Sequence, residues 1–82
     1  MKTKELIGRN LKYLRFKSGL SQEEFYTKHN ISFKYLSMVE RGEINVSVDF
    51  LDRLAKKLKI STSELLIEDN SRIINKKRID SK

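Results

Sequence analysis

Apolar residues recur at helical spacing in two separate stretches of the chain. Ile7, Leu11 and Leu14 fall at i, i+4 and i+7, and Leu51, Leu54, Ala55 and Leu58 at i, i+3, i+4 and i+7, so each set lies on one face of an amphipathic helix. Gly19 stands where a left-handed residue closes a helix, which sets the first helix at about Thr3 to Ser18. Ser21-Gln22-Glu23-Glu24 reads as a capping box, with the serine oxygen accepting from the third amide and Glu24 reaching back. It predicts a short second helix to Lys28, because Asn30 tolerates a left-handed turn and Ser32 offers a new cap. The third helix then runs from Phe33 to Glu40 or Arg41, with Gly42 after it. Ser47 caps the fourth, and Ser61-Thr62-Ser63-Glu64 repeats the box ahead of a brief fifth.

The expectation is an all-α, five-helix domain over residues 1–69, followed by a basic tail, 70–82, that is frayed or barely helical. Phe25, Ile31, Leu36, Val39, Leu51, Leu54 and Leu58 are assigned to the core. Leu65, Leu66 and Ile67 are three consecutive apolar residues that one short helix cannot all turn inward, which makes them the expected interface of a homodimer. A chain of 82 residues buries a small core, and dimerisation is an obvious source of more buried apolar surface.

Charge narrows the partner. The net charge is +7, concentrated in residues 2–17 and in the tail, which points to a polyanion. No run of about 20 apolar residues is present and the N-terminus leads into no signal-like apolar region, so the expected location is the cytoplasm, with no membrane role. Cysteine is absent and His29 is the only histidine, which leaves no thiolate or histidine-rich metal site, and no cofactor is expected. No nucleophile and base pair and no phosphate loop can be assembled, so an enzyme is not expected, nor is a small-molecule ligand.

Two short helices joined by a tight turn, from Ser21 to Lys28 and from Ser32 to Glu40, have the dimensions of a DNA-binding helix-turn-helix. From Ile7 to Leu66 the chain resembles the lambda repressor and Cro, or Xre, type of this domain. The resemblance is carried by Leu20-Ser21-Gln22-Glu23-Glu24-Phe25, Asn30-Ile31-Ser32, Tyr35-Leu36-Ser37, Val39-Glu40-Arg41-Gly42 and Leu54-Ala55-Lys56-Lys57-Leu58. It implies a sequence-specific DNA-binding transcriptional regulator acting as a homodimer on a double-stranded operator. Ser32, Phe33, Lys34, Ser37 and Met38 occupy the positions that face base edges. Arg15, Gln22, Tyr35 and Asn45 are the implied backbone contacts, and Arg15 and Glu40 the implied structural ion pair. Residues 40–51 are also similar to stand-alone controller proteins of restriction-modification systems. An antitoxin-type module that binds a toxin partner as well as DNA is the alternative.

The chain departs from the family pattern at two positions. Asn30 replaces the usual turn glycine, a mild change for a residue that reaches the left-handed region readily. Tyr26 replaces a small alanine, so either its ring turns outward or the packing around it is re-spaced.

Overall fold

In the computed structural model, which describes residues 2–68, four α-helices and one 3₁₀ helix follow one another: α1 (Thr3–Ser18), α2 (Gln22–Lys28), α3 (Phe33–Glu40), α4 (Val48–Leu58) and the 3₁₀ helix Thr62–Leu66. There is no strand among the described residues. Local chemistry sets the starts. The Ser21 hydroxyl accepts from the Glu24 amide at 3.2 Å while the Glu24 carboxylate takes the Ser21 amide at 2.9 Å, closing the box and holding that carboxyl below its ordinary pKa. Ser32 and Ser47 likewise cap α3 and α4 through the amides of Tyr35 and Phe50.

The ends use left-handed residues. Asn30 takes φ 56° after α2, and the Ile31 amide reaches back to the Tyr26 carbonyl at 2.8 Å. Lys59 takes φ 60° after α4, a position at which glycine would be the usual residue.

The second capping box does not form as the sequence predicts. The Glu64 amide goes to the backbone carbonyl of Ser61 at 3.1 Å, the i to i+3 spacing of a 3₁₀ turn, and the Ser61 hydroxyl pairs with Ser63 instead. The segment is tied to α4 by the Thr62 hydroxyl, which donates to Asp52 at 2.7 Å.

The core lies where α1, α2, α3, α4 and the 3₁₀ helix meet: Ile7, Leu11, Phe25, Tyr26, Leu36, Val39, Leu51, Leu54, Ala55 and Leu65 are buried, with Ile31 and Leu58 packed against them. Leu65 therefore does not belong to an intermolecular surface, which corrects the expectation that it would. The tight turn points its side chain into the core while Leu66 stays exposed and Ile67 partly so. Asn10, fully buried on α1, fixes that turn by donating both amide protons, to the carbonyls of Leu65 and Ile67, each at 2.9 Å.

Gly8 brings α1 against the end of α3. A Cβ at this position would sit 2.4 Å from the Val39 carbonyl oxygen and 2.7 Å from that of Glu40. The basic tail 70–82 lies outside the described residues.

Candidate nucleic-acid interface

Helix α3 has an outward end and an inward side. Eight residues at 1.5 Å rise make it about 12 Å long, matched to a major groove about 12 Å wide. Ser32, Phe33 and Lys34 are exposed at its start, and the Phe33 ring, 47 % exposed, leans edge-on against Tyr26. Leu36, Val39 and Glu40 face the interior. Met38 is partly buried.

Three residues assigned to DNA contact have partners within the protein. Ser37 is buried, and its hydroxyl donates to the Lys34 carbonyl at 2.8 Å, the back-bond a serine makes within its own helix. Tyr35 is half-buried with its ring edge-to-face on Phe50, 4.9 Å between centroids. The Arg15 side chain is only 9 % exposed, with its guanidinium packed 4.4 Å over the Phe16 ring. Asn45 is exposed in the connection between α3 and α4, and Gln22 is partly exposed at the first position of α2.

At the other end of α3 lies a polar cluster centred on the buried Glu40. Arg15 donates to it twice, Nε to Oε2 at 2.8 Å and Nη2 to Oε1 at 3.0 Å, a fork-to-carboxylate pair across α1 and α3. Gln22 Nε2 donates to Oε1 at 3.1 Å, and the Tyr26 hydroxyl donates to Oε2. The phenol also lies 3.4 Å from the Leu36 carbonyl. Burial, and then the bond to Glu40, push its pKa well above the ordinary value, so it remains a donor at any physiological pH. The ring of Tyr26 is thus turned inward, and its extra volume is used to reach a carboxylate.

A family model described as helix-turn-helix matches residues 11–65. The chain belongs to the helix-turn-helix family, in its Xre type. It is 41 % identical over 66 residues to the uncharacterized HTH-type transcriptional regulator y4dJ of Sinorhizobium fredii, which covers 80 % of this chain and 86 % of that protein. It is also 41 % identical over 60 residues to the control protein C.MunI of a Mycoplasma species, covering 72 % and 81 %. Among solved structures, the hypothetical transcription factor NHTF from Neisseria superposes with a TM-score of 0.72 at 25 % identity, over 87 % of this chain and 82 % of that one. The protein's function is therefore that of a DNA-binding transcriptional regulator.

In this helix-turn-helix the motif itself, α2, the Asn30 turn and α3, holds Gln22, Ser32, Phe33, Lys34, Tyr35, Ser37 and Met38, while Arg15 lies on α1 and Asn45 in the connection after α3. Two others, Gly8 against α3 and Asn10 against the 3₁₀ turn, carry weaker signals. Gly8 is a lone glycine inside a helical pattern, a sign of close backbone approach. Asn10 is a polar residue three positions after Ile7 and four before Leu14, inside the apolar stripe of α1, where a buried amide must find partners. The described residues hold no helix long and apolar enough to cross a membrane.

Proposed function

We propose that the protein is a non-enzymatic, cytoplasmic regulator that occupies a two-fold operator as a homodimer, in the manner of a controller protein. The observation that carries this is the polarity of α3: an exposed start bearing Phe33 and Lys34 on a helix whose other side is locked to α1 and α2 by the Glu40 cluster. Such a helix enters the major groove start-first, where the Lys34 ammonium can donate to guanine O6 and N7 and the Phe33 ring can meet a thymine methyl. Ser32 and Met38 flank them. Gln22 and Asn45 would lie against the sugar-phosphate backbone.

Arg15 supports the reading as the brace of α3, since two of its donors are held by Glu40 and its surface is largely covered. Likeness to a control protein supports the controller mode. Leu66, 39 % exposed at the end of the 3₁₀ helix, and the adjacent Ile67 supply the apolar start of a two-fold contact. Two copies so related would place their recognition helices about 34 Å apart, one turn of DNA.

The test joins two measurements. Sedimentation at tens of micromolar should give a dimer for the wild type and a shift toward monomer for Leu66→Lys. Affinity for duplex DNA should fall by about 0.9 logarithmic units per tenfold rise in salt for each neutralised phosphate. A wild type that is monomeric with and without DNA removes the dimer, and a salt-independent affinity argues for a protein ligand instead. Partner capture by the tail, the antitoxin-type alternative, depends on residues 70–82, which lie outside the described residues.

A further inference from the structure

We infer that Tyr26 is a positioning residue for DNA binding: its hydroxyl completes the donor set of Glu40 and so holds the Gln22 amide ready for a phosphate. This rests on the proposed role of Gln22 as a backbone contact.

An ionised carboxylate offers about four acceptor positions, two on each oxygen. Glu40, whose side chain is fully buried, fills them with four donors: Arg15 Nε and Tyr26 hydroxyl on Oε2, Arg15 Nη2 and Gln22 Nε2 on Oε1. Each donor fixes the plane of the carboxylate, and that plane fixes the direction from which Gln22 must approach. The Gln22 amide nitrogen has two protons. One is spent on Glu40, and the second is left for an acceptor outside the cluster, at the partly exposed start of α2. Without the phenol, Oε2 keeps only Arg15, and the carboxylate can rotate toward the lost position. Gln22 then either follows it or gives up its bond.

Tyr26 is suited to this work because it is enclosed on every side. It has no exposed surface, its ring stands edge-on to Phe25 at 5.6 Å and to Phe33 at 6.2 Å, and its hydroxyl has a second acceptor in the Leu36 carbonyl. An alanine at this place, as is usual in the family, supplies neither the volume nor the donor.

The experiment is a double-mutant cycle on affinity for a mixed-sequence duplex of about three helical turns at low salt, since a phosphate contact is independent of sequence. Tyr26→Phe keeps the ring and removes the donor, and should weaken binding by about three- to tenfold, a fraction of the weight of a Gln22 hydrogen bond to a charged phosphate. In a Gln22→Ala background the same change should do nothing further, and neither change should alter the salt slope, because both groups are uncharged. Equal losses in both backgrounds would make Tyr26 merely structural and overturn the inference. A Gln22→Ala variant that binds as the wild type does would also overturn it while leaving DNA binding intact. No duplex binding by the wild type at all would instead overturn the DNA-contact role of Gln22 on which the inference rests.

The wild type gives an answer that needs no variant to fold. In the free protein one Gln22 side-chain amide proton should, by NMR, be displaced from the free-glutamine shift and slowed in exchange by its bond to Glu40, while the other exchanges with water and moves on addition of the duplex. Both protons at the shifts and exchange rates of a free glutamine amide would overturn the inference.

Discussion

Replacing Gly8 by alanine sets two effects of opposite sign against each other. Alanine is favoured over glycine in a helix interior by about 1 kcal/mol, so an unobstructed site would gain stability. Here the new methyl group would lie 2.4 Å from one α3 carbonyl oxygen and 2.7 Å from the next, with the Glu40 carbonyl carbon at 3.1 Å. These are backbone atoms at the end of the recognition helix and cannot swing aside as a side chain can. Relief requires α1 and α3 to separate, which pulls the Arg15 and Glu40 pair apart with them. Inserting one methylene into a packed site costs about 1–3 kcal/mol, and the upper end applies where the obstacle is backbone. After the propensity gain, the net loss is about 2 kcal/mol. For a domain of this size that is a fall in Tm of about 8–16 °C.

Gly19→Ala is the control, since Gly19 holds φ 77° with no atom within 4 Å of the place its Cβ would take, and it should lose only about 1 kcal/mol to left-handed strain. Thermal melts by far-UV circular dichroism should rank wild type above Gly19→Ala and Gly19→Ala above Gly8→Ala. A Gly8→Ala protein at least as stable as the wild type would refute the claim that this close approach seats α3.

Lys34→Ala should relax base preference as well as weaken binding, by about 1–3 kcal/mol at one base pair per half-site, read from affinities for an operator and its single-base variants at fixed salt. Equal losses on every sequence would reduce Lys34 to a phosphate contact. His29 carries a pKa below its ordinary 6.5, first through burial beside Phe25 and then through the Lys28 charge. The unfolded chain therefore binds the proton more readily, and this residue's contribution to stability, present above 6.5, is lost as the pH falls through that value toward the folded pKa. Urea midpoints measured from pH 8 to 5 should drop less in His29→Gln than in the wild type.

What the sequence determined by itself was local. Ser21 with Glu24, the Ser32 and Ser47 caps, the left-handed Asn30 and the apolar spacing of α1 and α4 each act within about four residues, and the helix boundaries follow them. The Arg15 and Glu40 pair, 25 residues apart, was legible only through resemblance to a family.

The tertiary structure decided which side of each helix is used up by the protein itself. Ser61 has the sequence of a cap, yet the 3₁₀ turn gives the Glu64 amide to the backbone. Leu65 has the sequence of an exposed apolar run, yet Asn10, 55 residues away, draws that turn onto α1. Ser37 carries a hydroxyl suited to a base edge and spends it on its own helix. Tyr26 is the sharpest instance. Whether a phenol in place of an alanine faces solvent or fills the interior depends on whether a buried acceptor lies within its reach, and Glu40 comes there only when α1, α2 and α3 have packed. Periodicity and capping are properties of neighbouring residues, whereas the satisfaction of a buried polar group is a property of the assembled core.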